Sequence, residues 1–331
     1  MNSGFVLPNR STEAAGQLEG QPQAEWHRQL EAWRRLLAEC RRKPSRKRVH
    51  ALRVATLRLQ AELEYWQREH KPDNPAERSA KRWKNEGQKL RRALRPVREA
   101  DVYLGKLASL RDSLAPPLDY QPRCSRKCMK QIDELEDRLT RMRGTAAKKL
   151  VGEIDGGRER LERLSQDMET ALAAQMVPAV NTATEAASAL IAGLAAELPA
   201  LSADNLHAFR KRVKQARYLA ELSAPGDPMA ARQAAALGRM QTAAGEWHDW
   251  KVLAQKARRA LRDRSKRSGL IELLETLAGE SLQKALVLCR RLTVRLLRHG
   301  EVHETSQGPV PLKLPVRRAE PVTVMGKRDC A

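Results

Sequence analysis

Aromatic residues make up only 4% of this 331-residue chain, and β-branched runs are scarce, so there is little from which to build a sheet. No apolar stretch approaches the roughly 20 residues that a bilayer-spanning helix requires. Residues 1–20 lack the charged start and apolar middle of a secretory signal. The five cysteines, odd in number and irregularly spaced, suggest no disulfide framework, and a reducing, cytoplasmic setting is the expectation. Negative charge is also in short supply: 40 Asp and Glu face 62 Lys and Arg, a formal net charge of +22. Such an excess opposes compaction by self-repulsion and attracts polyanions, whether nucleic acid, an anionic surface or polyphosphate.

What is abundant is Ala, Leu, Arg, Glu and Gln, all strong helix formers. With 41% hydrophobic residues the chain can bury a core, and an all-α fold follows. Helical periodicity begins near Gln23, with Trp26, Leu30, Trp33, Leu36 and Leu37 on one stripe, and ends at Arg41–Ser45. A second helix is expected from Arg46 to Glu69, with Leu52, Leu59, Leu63 and Trp66 inward. Asn74-Pro75 reads as a helix start. Further helices are expected at 76–95, 97–113, 124–150 and 158–176, broken at Pro96 and Gly156-Gly157. An Ala-rich helix ends near Leu198, and Ser202–Asp204 should cap another that runs through Leu222. After Pro225–Pro228 come helices at 229–244, 247–263 and 268–299. Residues 1–22 and the basic tail 300–331 carry no periodicity and are expected to be flexible. The intervening 23–299 forms one helical domain with halves of about 23–155 and 156–299.

The halves rhyme. Val49-His50-Ala51-Leu52-Arg53 aligns with Leu206-His207-Ala208-Phe209-Arg210, and a short segment near Arg98 aligns with one near His248, at offsets of 150 to 157 residues. In the helix from Leu206, His207, Arg210, Lys211, Lys214 and Arg217 fall on one face, and no acid interrupts Asn205 to Ala220. Like charges one turn apart destabilise a helix by a few tenths of a kcal/mol per pair, so the stripe serves something other than its own helix. Arg46, His50 and Arg53, with Arg58 to one side, form a thinner counterpart; Leu57 and Gln60 stand where Lys214 and Arg217 would be. Arg91, Arg95 and Arg98 add a third cationic face. Planar guanidinium forks donate paired hydrogen bonds to oxyanions.

These motifs resemble the CHAD domain family. Val-His-x-x-Arg-Val at 49–54 and Leu-His-x-x-Arg-Lys-x-x-Lys-x-x-Arg-Tyr at 206–218 are similar to its paired signatures. Arg98-Glu99-Ala100-Asp101-Val102 resembles its Arg-Asp-x-Asp-Val element, with Glu for the first Asp. Leu237–Asp249, with Met240-Gln241, Gly245 and His248-Asp249, resembles a further element of the second half. The resemblance spans about 23–299. It implies two antiparallel helical bundles related by pseudo-twofold symmetry, with a basic central groove. It also implies binding of inorganic polyphosphate and association with its granules. His248 joins the candidate anion ligands on this basis, and no cofactor is expected.

Other chemistries fit less well. Glu134-Leu135-Glu136-Asp137-Arg138 matches a Glu-x-Glu-x-basic triphosphatase pattern, but that pattern needs a strand to put both glutamates on one side. His50, His207, the His299/His303 pair and the Cys124/Cys128 pair lack the further ligands of a metal site. The tryptophans, including Trp83, Trp247 and Trp250, are expected to pack. Asp101 and Asp249 are expected to orient neighbouring cations. Non-specific nucleic-acid binding is the main rival, since any strongly basic surface binds DNA; no helix-turn-helix, zinc-finger or basic-zipper pattern supports sequence reading.

Overall fold

A computed structural model describes residues 22–69, 75–114, 126–173, 180–224, 226–261 and 268–300. Among them there is no strand. The expected N-terminal segment, the tail beyond 300, Asn74 and the Trp66 side chain lie outside the described set.

The elements are α1 (Pro22–Arg42), α2 (Arg46–Glu69), α3 (Pro75–Leu114), α4 (Arg126–Ala173), α5 (Val180–Glu197), a 3₁₀ turn (Leu198–Ala200), α6 (Leu206–Ser223), α7 (Pro228–Ala260) and α8 (Gly269–Gly300). In α1 the stripe Trp26, Leu30, Trp33, Leu37 and Cys40 is at most 6% exposed. The start of α7 is set by Asp227, whose carboxylate accepts the Met229 N–H at 2.7 Å, with Pro228 behind it in the first turn. Such a cap satisfies one of the unpaired amides of a helix start. Ser202 and Asp204 do not cap α6. Asn205 precedes that helix without a side-chain cap, and its amide is engaged by Ser202 N and the Ala200 carbonyl instead.

Three expected breaks are absent. α3 passes through Pro96, α4 through Gly156-Gly157, and α7 through 245–246. A mid-helix proline loses one hydrogen bond and costs about 3 kcal/mol. Its flanks Leu94 and Val97 are fully buried, and that burial offsets the cost. In α4, Ile154 and Leu161 pin the helix to the core on either side of the glycine pair. In α7, Ala244, Gly245 and Trp247 are all buried. Tertiary packing overrides local propensity at each point, and the expected boundary between halves, near 155, lies inside α4.

Consecutive helices of the first half pack on one another and α1 closes on α4; α5–α8 repeat this pattern, with α5 closing on α8. Across the halves, α2 meets α6, α3 meets α7 and α4 meets α8. One core fills α1–α4 and a second fills α5–α8. A third forms where the α3–α4 and α7–α8 ends meet, around Tyr103, Leu107, Ile132, Leu253 and Leu274. The first core is keyed by tryptophans: Trp33 Nε1 donates to Thr56 Oγ1 at 2.9 Å, and its ring lies 5.7 Å from that of Trp83. Trp26, Trp33, Trp83 and Trp247 are thus core residues. Cys40 and Cys289 are free and buried, whereas Cys128 is disulfide-bonded.

Candidate functional site

The α2–α6 contact brings the two basic stripes together, and α3 lies beside α2. Arg53 donates to the Arg91 carbonyl at 3.3 Å. Its guanidinium is lowered to about 10, first by burial and then by Arg98 and Arg91. Lys214 is lowered further, to about 7, by burial and then by Arg53, Arg91, Arg210 and Arg98. Burial also lowers Arg91 and Arg210. Arg210 Nε is buried with no hydrogen-bond partner among the described residues. Three helices therefore hold Arg53, Arg91, Arg98, Arg210 and Lys214 in one partly desolvated cationic cluster.

Histidines border it. The His207 and His248 rings lie 5.0 Å apart. Burial and then Arg210 and His207 push His248 down to about 4. His207 is lowered by burial, Lys211 and Arg210, and His50 by burial, Arg98 and Arg53. Lys211 is exposed, and His207 is only partly desolvated, its residue standing exposed at the edge of the cluster. Arg46 lies over Gly105, where a Cβ would come within 2.9 Å of its guanidinium. Gly238 and Gly245 similarly face Arg217 and Arg210.

The remaining candidates are already paired. Arg95 donates to Glu99 at 2.6 Å. Arg217 and Arg58 both donate to Glu221, at 2.7 and 3.3 Å. Asp249 is 7% exposed and stands 3.8 Å from Arg98; burial raises its pKa while Arg98, Arg210 and Lys106 oppose the rise. A cavity of about 780 Å³ opens beside it, bordered by Arg46, His50, Arg98, Asp101 and Trp250 among others. Lys106 Nζ sits 4.2 Å from the Trp250 ring centroid and pairs with Glu246.

Sequence reasoning missed Arg143. From α4 it donates to Asp101 at 2.7 Å and to the Pro44 carbonyl at 2.8 Å, tying α3 to the entry of α2. Nothing in its local sequence signals this, because its partners lie 42 and 99 residues away. Glu221 was missed too, although its i,i+4 spacing from Arg217 is visible in the sequence.

The Glu134–Arg138 segment is helical, Leu135 is buried, and Glu136 with Asp133 pairs to Arg111. No group of three or more His, Cys, Asp or Glu that could hold a metal occurs among the described residues. Cys124 and His303, and the His299 side chain, fall outside them. No described helix is long and apolar enough to cross a membrane.

Fold and site together define an all-helical protein with a cation-lined junction between two helix groups. The chain belongs to the CHAD domain family, whose model matches residues 24–258. Two solved structures share the fold. The crystal structure of the CHAD domain from the plant Ricinus communis aligns with TM-score 0.57 at 17% identity, over 82% of this chain and 90% of that one. PptA from Streptomyces chartreusis aligns with TM-score 0.59 at 17% identity, over 86% and 98%. A search of curated proteins found no match.

Proposed function

We propose that this protein binds inorganic polyphosphate, or a linear polyanion of the same character, without turning it over. The observation that carries this reading is the convergence of Arg53, Arg91, Arg98, Arg210 and Lys214 from three helices, with burial lowering Arg53, Arg91, Arg210 and Lys214. Desolvating like charges is costly without an anion to answer them. A flexible chain bearing a charge on every phosphate can bend into a half-buried cluster. Duplex DNA, stiff over roughly 150 base pairs, can reach only the exposed rim. His50, His207 and His248 then serve as neutral hydrogen-bond donors along the cluster. Granule association is proposed from membership of the CHAD family alone, and the shared neighbour pattern of the two halves supports a pseudo-twofold arrangement of the groove.

The test is a titration of long-chain polyphosphate against a variant with Arg53, Arg210 and Lys214 all changed to Gln. Binding should weaken by about 100-fold or more at physiological salt, and the salt dependence should flatten by about two to three. If neutralising the tail residues Lys313, Arg317 and Arg318 weakens binding more, the cluster is not the site. Absence of phosphate release from tripolyphosphate with added divalent metal is the expected result for a non-enzymatic binder; metal-dependent release would contradict it.

A further inference from the structure

The cation stripe of α6 ends abruptly. From Leu206 to Ala220 the helix carries no acid, and the first one met is Glu221. Its two oxygens are used separately: Oε1 accepts from Arg217, one turn back on α6, and Oε2 accepts from Arg58 of α2. One carboxylate thus holds a cation from each half, in the way that two non-bridging oxygens of a phosphate could. Lys214, seven residues earlier and about 10 Å along the helix axis, has no ion-pair partner among the described residues; four arginines lower its amine, which lies 5.5 Å from the Tyr218 ring centroid. Arg95 is also paired, but by Glu99 on its own helix, so that pair does not join the halves.

We propose that Glu221 is a built-in anion that terminates the polyphosphate track, and so fixes how many phosphates the protein engages. This rests on the polyanion reading above. A pair this accessible, with Arg58 48% and Glu221 22% exposed, contributes little to stability. Its larger effect is on the ligand: it withdraws two arginines from the end of the track and places a negative charge there.

The experiment compares Glu221→Gln with the unmodified chain, titrating long-chain polyphosphate and tripolyphosphate across a salt series. Long-chain affinity should rise about three- to tenfold, and its salt dependence should steepen by about one to two, as Arg58 and Arg217 each gain a phosphate. Tripolyphosphate, short enough to be held by the central cluster alone, should change less than about twofold. An equal gain for both lengths would mean only that a negative charge had been removed, and would overturn the proposal, as would no gain. In a background with Arg58→Gln and Arg217→Gln, the long-chain gain should shrink to less than about twofold, what loss of the negative charge alone gives; an undiminished gain would also overturn the proposal. Glu221→Asp keeps the charge but shortens the reach to Arg58, and should give a smaller gain of the same kind. A wild-type response from the Arg53, Arg210 and Lys214 triple variant would bring down the polyanion reading itself. That result is separate from failure of Glu221→Gln on an intact centre.

Discussion

Lys214 shows at a single residue what the site costs the fold. Its amine is lowered from an ordinary 10.5 to about 7 by burial and by four arginines. Between those values the unfolded chain holds more protons than the folded one, so stability rises with pH across that window. The penalty is complete below pH 7. His248, lowered from 6.5 to about 4, adds a loss of stability as pH falls through that interval. Lys214→Met should therefore raise the melting temperature near pH 7 by about 2–4 °C while weakening polyphosphate binding; a lower melting temperature would contradict the electrostatic account. A bound polyanion favours the protonated forms of Lys214 and the three histidines. Affinity at fixed salt should accordingly strengthen as pH is lowered from 8 to 5, and a flat profile in titration calorimetry would count against their place in the site. The α6 stripe was legible in the sequence because cations at helical spacing with no intervening acid have no local partner. The pairing of Arg58 with Glu221, 163 residues away, was not, because it exists only once α2 and α6 meet.

At the level of elements, composition and periodicity located α1, α2, α5, α6 and α8 closely, since each is bounded by proline, glycine or a polar turn and carries one apolar stripe. They failed at Pro96, at Gly156-Gly157 and near Gly245, where a breaker sits between residues that the tertiary fold buries. Long α3 and α4 matter to the site because Arg143 on α4 holds Asp101 on α3 and the Pro44 carbonyl ahead of α2. Asp101 is 8% exposed, and its Oδ2 has no hydrogen-bond partner among the described residues, so Arg143 supplies the main compensation for its charge. Arg143→Met should cost about 3 kcal/mol in urea denaturation. Adding Asp101→Asn should recover part of that loss, since the stranded charge disappears. A loss below about 0.5 kcal/mol would mean the tie is only a surface contact.

For the whole molecule, a net charge of +22 predicts attraction to every polyanion and cannot by itself choose among them. The choice comes from where the cations sit. The family pattern spans most of the described helices, and the chain's fold is shared with two structures of only 17% identity. Against that scaffold, the proposed reading has the half-buried cluster take a flexible chain in preference to a stiff duplex. The most direct measurement is therefore a competition at physiological salt between long-chain polyphosphate and duplex DNA of equal phosphate content. Polyphosphate should displace the duplex, and the preference should collapse in the Arg53, Arg210 and Lys214 triple variant. Equal or tighter binding of the duplex by the unmodified protein would contradict the account.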